Sequence, residues 1–271
     1  MGKLDGKVAF ISGGARGQGR SHAVRLAGEG ADIVTFDICS QIESVPYPMS
    51  TPEDLEQTRA EVEALGRRIV AEQADARDVD AVRAVFEKGA AALGPVDIVL
   101  ANAGIGVGGP SDSDRDWYDV VDVNLSGVWN TVRVAIPSMI ERGEGGSIVI
   151  TSSTGGLMGP ATNDAGLLAY IAAKHGVVGL MRSWANFLAP HYIRVNCVAP
   201  TAVNTPMAAN DSMMELLEKD PGVANAWMNA IPVMWVEAID ISNTVAWLVS
   251  DDARYVTGTV VPVDAGMINK R

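Results

Sequence analysis

Short apolar runs recur along the chain, and longer stretches with helical spacing separate them. The runs cover residues 8–12, 33–37, 68–73, 98–101, 147–151, 194–199 and 260–263. They are rich in β-branched residues and do not alternate with polar residues, which is typical of strands covered on both faces. The stretches between them are long enough for crossover helices. The pattern predicts an α/β fold, a seven-stranded, mainly parallel sheet that is doubly wound by helices on both faces.

Composition limits the functions that such a fold can serve. The 271 residues are 48% hydrophobic, and no linker or repeat divides them, so we expect a single domain over residues 1–271. The formal net charge of −12 and the lack of a Lys/Arg cluster argue against nucleic acid and anionic lipid as partners. No signal-peptide pattern is present, and no run approaches the ~18 apolar residues of a membrane span. Two cysteines, Cys39 and Cys197, are too few for a disulfide framework, so the sequence predicts a cytoplasmic protein.

A glycine-rich loop joins the first predicted strand to a helical stretch. Gly13, Gly17 and Gly19 let the backbone approach a pyrophosphate, and the helix directs its amide groups and its positive end at that group. Arg16 and Gln18 lie in the same loop. The position of the loop between a strand and a helix, more than the glycines alone, predicts a Rossmann-like dinucleotide-binding unit.

Asp37 ends the second predicted strand, where it can accept hydrogen bonds from both hydroxyls of an adenosine ribose. A carboxylate there would repel the 2′-phosphate of NADP, so the predicted cofactor is NAD. Arg16 is a contrary sign, because a basic residue in the glycine loop could pair with that phosphate. We give more weight to Asp37, since unfavourable charge at the ribose itself is harder to avoid.

An extra segment follows Asp37 where a helix would normally begin. Thr51 and Pro52 carry the signals of a helix start, an N-cap and a proline in the first turn, and the helical pattern ends at Gly66. The helix therefore begins late. Residues 38–51 form an insertion at the carboxyl end of the strand, the edge at which open α/β sheets bind ligands.

Tyr170 and Lys174 are four residues apart on a predicted helix, which places both side chains on one face. A phenol with a pKa of ~10 is a poor base at neutral pH, but a nearby ammonium group favours the phenolate and suits the tyrosine for proton transfer. The pair alone does not identify a site, so its interpretation depends on the surrounding motifs.

Together these motifs resemble the short-chain dehydrogenase/reductase family over nearly the whole chain. Ser12 stands where that family usually has a threonine, and residues 101–104 are similar to its NNAG motif. The resemblance implies a cofactor-binding set that begins at the glycine loop and ends after the sixth predicted strand. The set comprises Gly13, Arg16, Gly17, Gln18, Gly19, Asp37, Asp75, Asn102, Ala103, Gly104, Tyr170, Lys174, Pro200, Val203 and Thr205.

Two parts of this set have specific roles by resemblance. Asp75 is similar to the aspartate that contacts the adenine. Residues 200–205 are similar to the family's PGxxxT motif, with Thr201 in place of the glycine. In that motif the backbone of Val203 and the hydroxyl of Thr205 would hold the nicotinamide carboxamide.

The same resemblance implies hydride transfer between the nicotinamide and the carbon of an alcohol or carbonyl. The implied catalytic residues are Ser153, Tyr170, Lys174 and Asn124. Tyr170 takes the alcohol proton during oxidation, and Lys174 lowers its pKa and binds the nicotinamide ribose. Ser153 hydrogen-bonds the developing oxyanion, and Asn124 holds a water that links Lys174 to solvent.

Ser153 lies 17 residues before Tyr170, a wider gap than the family usually has, because residues 154–169 form a lengthened loop. The lengthening leaves Ser152 as an alternative for the inward-facing serine, and the register of the motif favours Ser153. His175 and His191 have no partner pattern that suggests a metal ligand, and no metal site is predicted.

Several segments narrow the resemblance to the mycofactocin-coupled subgroup, which includes carveol dehydrogenase-like enzymes. They are residues 37–48, 51–65, 172–176 and 182–185. That subgroup implies NAD(H) that does not exchange and an external redox partner, mycofactocin. We expect residues 38–51, stiffened by Pro46 and Pro48, to cover the adenosine half of the cofactor. The alternative is a loop that serves only subunit contacts.

Residues 204–236 lie where the family places its substrate lid. Methionine and tryptophan are frequent there, at Met207, Met213, Met214, Trp227, Met228, Met234 and Trp235. Such an adaptable apolar surface favours a bulky apolar alcohol or ketone, for example a carveol-like terpene alcohol. The alternative is that many of these side chains only pack against the core or a neighbouring subunit.

Two other functions stay open at this point. An NADPH-dependent 3-oxoacyl thioester reductase is favoured by Arg16 and opposed by Asp37. A non-catalytic NAD(H)-sensing or scaffold protein would be free to lose the serine, tyrosine and lysine, all of which are present. The helices expected over residues 116–140 and 167–188 are those that the family buries between subunits, which implies a homotetramer.

Overall fold

The computed structural model describes residues 2–106, 113–219 and 228–270. The strands in these ranges are β1 (Val8–Ser12), β2 (Asp32–Asp37), β3 (Ile69–Gln73), β4 (Ile98–Ala101), β5 (Gly146–Thr151), β6 (Ile193–Pro200) and β7 (Val260–Val263). They form one sheet in the order β3-β2-β1-β4-β5-β6-β7, and all of its pairs are parallel. Each predicted strand is present, and its bounds differ from the sequence-based ones by at most one residue at either end.

Helices cover both faces of this sheet. Those within the described ranges are α1 (Gly17–Gly28), α2 (Pro52–Ala64), α3 (Val79–Leu93), α4 (Asp114–Val121), α5 (Gly127–Arg142), α6 (Ala165–Leu188), α7 (Asp211–Lys219) and α8 (Ala238–Val249). Helices α1, α2 and α8 bury apolar residues in the core on one face, and α3, α5 and α6 do so on the other. The prediction of a single, doubly wound, Rossmann-like domain is confirmed.

The strands explain why the apolar runs do not alternate with polar residues. Successive residues of β1 point to opposite faces, so Phe10 joins one core and its neighbours Ala9 and Ile11 join the other, and all three are fully buried. Because both faces are covered, neither face needs polar residues. The loops that leave the carboxyl ends of the strands meet at one edge, where the order reverses between β1 and β4, and this is where a ligand cleft forms in such sheets.

The start of α2 follows the sequence prediction closely. Thr51 is the N-cap: its Oγ1 accepts from the amide of Asp54 at 3.2 Å, and Asp54 Oδ2 accepts from the amide of Thr51 at 3.0 Å. This reciprocal capping box, with Pro52 in the first turn, stabilises a helix that starts only after residues 38–51.

Two local features differ from the prediction. Helix α6 begins at Ala165, because Asp164 caps it by accepting from the amide of Leu167 at 2.7 Å, so residues 165–169 of the predicted loop are helical. Helices α4 and α5 are joined without a break by a π-helical segment, Asp122–Ser126. Such segments insert one residue into a helix and re-aim a side chain, often at functional sites.

Candidate active site

The glycine loop forms the floor of a cleft at the carboxyl edge of the sheet. A Cβ atom at Gly14 would lie 1.8 Å from Oγ1 of Thr35, and one at Gly19 would lie 1.9 Å from the carbonyl oxygen of Gly13. Gly13 itself has a φ of +73°, a backbone conformation that favours glycine. Larger residues therefore do not fit, and the amide groups at the start of α1 face the cleft as an anion-binding site requires.

Gln18 gives a second sign that the cleft suits a nucleotide. It lines the cleft, and its Oε1 is buried without a hydrogen-bond partner among the described residues. A buried acceptor without a donor is costly, and a hydroxyl or amide of a bound dinucleotide would supply that donor. The residues present therefore fit such a cofactor.

Most of the predicted cofactor residues come together in this cleft. Those that line it are Gly13, Arg16, Gly17, Gln18, Gly19, Asp37, Asp75, Asn102, Ala103, Gly104 and Thr205. Tyr170, Lys174, Pro200 and Val203 lie outside its lining.

Ser12 and Asn102 connect the two loops at the centre of the edge. The Oγ of Ser12 accepts from the amides of Asn102 and Ala103, both at 3.1 Å. The side-chain amide of Asn102 donates to the carbonyl oxygens of Ser12 and Gly13 at 3.2 and 3.3 Å. The serine that replaces the usual threonine thus supplies the hydroxyl that holds β1 and β4 in register beside the cleft.

Asp37 lies at the end of β2, and its carboxylate accepts hydrogen bonds from the glycine loop and from the insertion that follows β2. Its Oδ2 accepts from the amide of Ala15 at 2.9 Å, and its Oδ1 accepts from the hydroxyl of Ser50 at 2.6 Å. The residue is 9% exposed and lines the cleft. Because each carboxylate oxygen can accept two hydrogen bonds, each retains capacity for a ribose hydroxyl.

Residues 38–51 cross from Asp37 to α4, and we name this segment the strap. At one side the guanidinium of Arg16 donates to the carbonyl oxygen of Pro48 at 2.5 Å. At the other side the hydroxyl of Ser44 donates to Asp119 Oδ2 on α4 at 2.7 Å. The strap is therefore fastened both to the glycine loop and to α4.

Side-chain bonds and apolar packing fold the strap internally. Nε2 of Gln41 donates to the carbonyl oxygens of Ile42, Val45 and Tyr47 at 3.1, 2.9 and 3.3 Å. Those three side chains are buried in an apolar cluster, which we name the strap cluster. Its buried members are Ile42, Val45, Tyr47, Ile105, Val120, Val123 and Ala169. Tyr170 and Met207 pack against this cluster, so the strap reaches from Asp37 to the other end of the cleft.

Asp75 lies beside the strap, at the carboxyl end of β3. Its carboxylate pairs with Arg77: Oδ2 lies 2.6 Å from Nη2, and Oδ1 accepts from the Arg77 amide at 2.9 Å. The pair fixes the orientation of Asp75 at the rim of the cleft.

Ser152 and Ser153 point in different directions after β5. The hydroxyl of Ser152 is buried and donates to the carbonyl oxygen of Lys174 at 3.0 Å. The Oγ of Ser153 accepts from the amide of Gly155 at 3.1 Å, and it lies close enough to the phenol of Tyr170 to lower the pKa of that group. The structure therefore brings Ser153, the serine that the motif register favours, to the tyrosine.

Lys174 lies beneath Tyr170 on the same face of α6. Its Nζ is 5.6 Å from the centroid of the Tyr170 ring and donates to the carbonyl oxygen of Thr151 at 2.8 Å. Burial lowers the pKa of Lys174 to about 8. Burial raises the pKa of Tyr170, and its interaction with Ser153 lowers that pKa in part. The lowering that the resemblance assigns to Lys174 stays a prediction. Desolvation disfavours the phenolate of a buried tyrosine, and the ammonium of Lys174 is directed at the backbone carbonyl of Thr151.

Asn124 occupies the π-helical segment and is fully buried. Its side-chain amide donates to the carbonyl oxygen of Ile105 and accepts from the Ile105 amide, both at 2.8 Å. A Cβ atom at Gly104 would lie 3.3 Å from Asn124 Oδ1 and 3.6 Å from Lys174 Nζ. The side chain thus clamps the segment that follows β4 directly above the lysine.

The end of β6 supplies the last predicted cofactor residues. Pro200 ends the strand, Val203 pairs with Val236 in an isolated bridge, and Thr205 lines the cleft. A Cβ atom at Gly17 would lie 3.3 Å from Cγ2 of Thr205. The segment therefore closes against the glycine loop and brings Thr205 to it.

The arrangement matches that of known oxidoreductases. A family model described as enoyl-(acyl carrier protein) reductase matches residues 13–268. An uncharacterized oxidoreductase of Mycobacterium tuberculosis is 54% identical over 269 residues, which are 99% of this chain and 98% of that protein. This chain belongs to the short-chain dehydrogenase/reductase family. It is accordingly an enzyme, as the motifs predicted.

Two further relatives of this short-chain dehydrogenase have more specific names. The (−)-trans-carveol dehydrogenase of Rhodococcus erythropolis is 46% identical over 278 residues, 98% of this chain and 99% of that protein. The crystal structure of carveol dehydrogenase from Mycobacterium avium in complex with NAD superposes with a TM-score of 0.93 at 51% identity, and the match covers 100% of both chains.

Sequence reasoning missed several contacts at the site of this short-chain dehydrogenase. Ser50 donates to Asp37, as described above, yet nothing in the sequence marks it as a partner of that carboxylate. Thr201, noted only as a departure from glycine, donates from Oγ1 to Asn229 Oδ1 at 2.7 Å, and Asn229 Nδ2 donates to the carbonyl oxygen of Val233 at 2.8 Å. Both pairs join residues far apart in sequence, so no local spacing could have revealed them.

The methionines of the predicted lid, residues 204–236, have different environments. Met207 packs against the strap cluster, whereas Met228 and Met234 are 52% and 55% exposed. Of the methionines and tryptophans predicted for the lid, Trp227 and the side chain of Met213 lie outside the described part.

Within residues 2–106, 113–219 and 228–270, no helix combines the length and the apolar character that crossing a bilayer requires. In the same ranges, no group of three His, Cys, Asp or Glu side chains is arranged to hold a metal ion.

Proposed function

We propose that this short-chain dehydrogenase oxidises an apolar secondary alcohol, a carveol-like terpene alcohol or a similar compound, to its ketone. It is an NAD-dependent oxidoreductase, as the NAD complex of its carveol dehydrogenase relative supports. The observation that carries the proposal is the contact of Ser153 with Tyr170, against which the apolar strap cluster packs. A polar pair beside an apolar wall suits an alcohol with one hydroxyl on a hydrocarbon frame.

The proposed roles follow from what each side chain contacts. Tyr170 takes the proton of the alcohol hydroxyl, and the hydroxyl of Ser153 hydrogen-bonds the same oxygen while negative charge develops on it. The ammonium of Lys174, held under the ring, stabilises the phenolate once it forms. Bound NAD supplies the acceptor for the hydrogen that leaves the alcohol carbon as hydride.

The remaining predicted residues would hold the cofactor. Asp37 would accept hydrogen bonds from the adenosine ribose, and Asp75 would contact the adenine. The backbone of Val203 and the hydroxyl of Thr205 would hold the nicotinamide carboxamide. Asn124 would hold a water that links Lys174 to solvent. Its hydrogen bonds to Ile105 position the segment above Lys174 along which that water would lie.

The competing function is a 3-oxoacyl thioester reductase that uses NADPH, and the matching family model, described as enoyl-(acyl carrier protein) reductase, also refers to an acyl thioester substrate. Two contacts oppose it. Asp37 presents a carboxylate to the ribose position, and the guanidinium of Arg16 is bound to the carbonyl of Pro48 in the strap. This bond directs one end of the guanidinium at the strap, and the carboxylate of Asp37 would repel a 2′-phosphate.

We further propose that the strap retains NAD(H) and that an external redox partner, mycofactocin, reoxidises it. The strap is fastened at the glycine loop and at α4, so a cofactor that lies beneath it leaves only after these contacts open. Its prolines reduce the entropic cost of keeping it ordered.

The absorption spectrum of the purified protein, taken without added cofactor, tests this function. We expect NAD or NADH to be released only on unfolding, and we expect an apolar alcohol to reduce it once per subunit until an artificial acceptor is added. Replacement of residues 38–51 by a short turn should accelerate release. A protein that arrives empty and turns over repeatedly with free NAD would remain a dehydrogenase and would contradict retention by the strap.

The predicted homotetramer is also a proposal. Large apolar side chains on the helices that the family buries between subunits are partly exposed, namely Trp117, Trp129, Leu168 and Phe187. Light scattering of the purified protein tests this, and a monomer at micromolar concentration would contradict it.

A further inference from the structure

One side chain of the strap reaches the end of the cleft where the alcohol is proposed to bind. Tyr47 is 5% exposed, and its Oη accepts a hydrogen bond from the amide of Gly106 at 3.1 Å. Gly106 lies in the segment after β4, which Asn124 clamps at Ile105. Tyr47 therefore holds the residue that directly follows the one held by Asn124.

The surroundings of Tyr47 connect it to the reacting groups. It belongs to the strap cluster, against which Tyr170 and Met207 pack. Burial raises the pKa of Tyr47 to about 12, the amide of Gly106 and the charge of Arg16 lower it in part, and Tyr170 raises it further. Tyr47 is thus a neutral phenol near the proposed base. A Cβ atom at Gly106 would lie 3.5 Å from Cγ of Met207, so the wall continues to the predicted lid.

We propose that Tyr47 is a positioning and specificity-determining residue for the alcohol, whose ring forms one wall of the alcohol site and whose hydroxyl fixes Gly106. The strap that covers the cofactor then also limits the size of the alcohol that the enzyme accepts. This inference rests on the proposed alcohol oxidation. It assigns to Tyr47, a residue of the segment proposed to cover the cofactor, a second role, contact with the alcohol.

The fastening of the strap explains why the ring would act as a fixed wall. On one side of Tyr47 the strap is held through Ser50 and Asp37, and on the other it is held through Ser44 and Asp119. A rotation of the ring away from Tyr170 would break its bond to Gly106 and open the strap cluster. A rigid apolar wall discriminates between alcohols by size, and a change of one methylene in such a pocket changes kcat/KM by roughly 10- to 200-fold.

Two variants separate the ring from the hydroxyl. Tyr47→Ala removes the wall and leaves space beside Met207, so we expect the ratio of kcat/KM for carveol to that for cyclohexanol to rise by about tenfold. Tyr47→Phe keeps the wall and removes the acceptor of the Gly106 amide. We expect it to raise the KM of both alcohols several-fold with little change in kcat, because the site is misplaced while the reacting groups are intact.

The experiment compares these variants with Tyr255→Ala and Tyr255→Phe, the same changes at a tyrosine that is 89% exposed. NAD content after unfolding and the shift in melting temperature on adding each alcohol are measured beside the kinetics. A loss of NAD with an unchanged alcohol ratio in Tyr47→Ala overturns the inference. Where that variant does not fold, unchanged KM values in Tyr47→Phe overturn it. A wild-type protein that oxidises neither alcohol overturns the proposed function and this inference together.

Discussion

The two ends of the cleft are built differently. At the reaction end, Ser153, Tyr170 and Lys174 lie at the carboxyl end of β5 and on one face of α6, and the lysine is held by a backbone carbonyl. At the adenosine end, Asp37 is held partly by Ser50 in the strap, a segment without helix or strand. Regular elements fix the serine, tyrosine and lysine, and a loop held by side-chain bonds fixes Asp37.

This difference between regular elements and a loop shows how one set of reacting groups can be kept while the binding of cofactor and substrate changes. Groups that must stay within a fraction of an ångström of one another are placed on rigid elements. Loops at the edge of the sheet tolerate insertion, so retention and selectivity can change there without disturbing the reacting groups. The strap cluster packs against Ile38 and Met49 of the strap and against Tyr170, so it connects the two ends.

The strongest test of this separation is Tyr170→Phe. Removal of the phenolic proton acceptor should reduce turnover by about 10²- to 10⁴-fold, the range that general acid–base groups contribute. The NAD content should stay at the wild-type level, because the ring and the strap are unchanged. Single-turnover oxidation and the spectrum after unfolding measure the two quantities. A variant that loses both would show that the ends are not separable, and Tyr255→Phe, at a tyrosine that is 89% exposed, is the matched control.

Asp37→Asn tests the other end. An asparagine cannot accept from both Ala15 and Ser50 and still offer two acceptor oxygens to a ribose. Because hydrogen bonds to charged groups contribute ~1.5–3 kcal/mol, NAD should bind about 10- to 100-fold more weakly, and the preference over NADP should shrink. Fluorescence titration of cofactor-free protein measures this, with exposed Asp251→Asn as control. A variant that keeps the wild-type ratio for NAD and NADP would contradict the role of Asp37.

Lys174→Met tests how much the buried ammonium at the reaction end lowers the stability of the fold. The folded pKa of Lys174, about 8, lies below its ordinary value of 10.5, so the cost of burying its charge is fully present below pH 8 and disappears as the pH rises to 10.5. The shift corresponds to roughly 3 kcal/mol, and loss of the bond to Thr151 offsets about 1 kcal/mol.

The free energy of unfolding of cofactor-free Lys174→Met should therefore be about 2 kcal/mol higher than that of the wild type at pH 7, and this difference should shrink toward pH 10.5. Urea denaturation at both pH values measures the free energy of unfolding. Equal stabilities at pH 7 would show that the ammonium is adequately solvated in place.

The oxidation rate of the wild type should rise with pH, because burial keeps the pKa of Tyr170 above its usual value.

The sequence predicted the reaction end more completely than the strap. The parallel sheet follows from strands buried on both faces, and the four-residue spacing of Tyr170 and Lys174 on a helix brings them together without further information. The burial that raises the pKa of Tyr170 could not be predicted, because spacing does not show burial. The path of the strap depends on Gln41, whose amide binds three carbonyls, and on Cys39, whose φ of 46° turns the chain. Neither feature has a sequence signature, so only the position of the insertion could be predicted.

The finest test of the strap is Ser50→Ala. Ser50 is 6% exposed, and its hydroxyl donates to Asp37 at 2.6 Å, while the bond from Ala15 to the same carboxylate stays intact in the variant. The net loss of one hydrogen bond is ~1 kcal/mol, so NAD should leave about fivefold faster. Ser40→Ala, at an exposed position of the same strap, should leave the rate unchanged. If Ser50→Ala releases NAD at the wild-type rate, the bond from Ser50 to Asp37 does not hold the strap closed. The bond between Arg16 and Pro48, which joins the strap to the glycine loop directly, would then have that role.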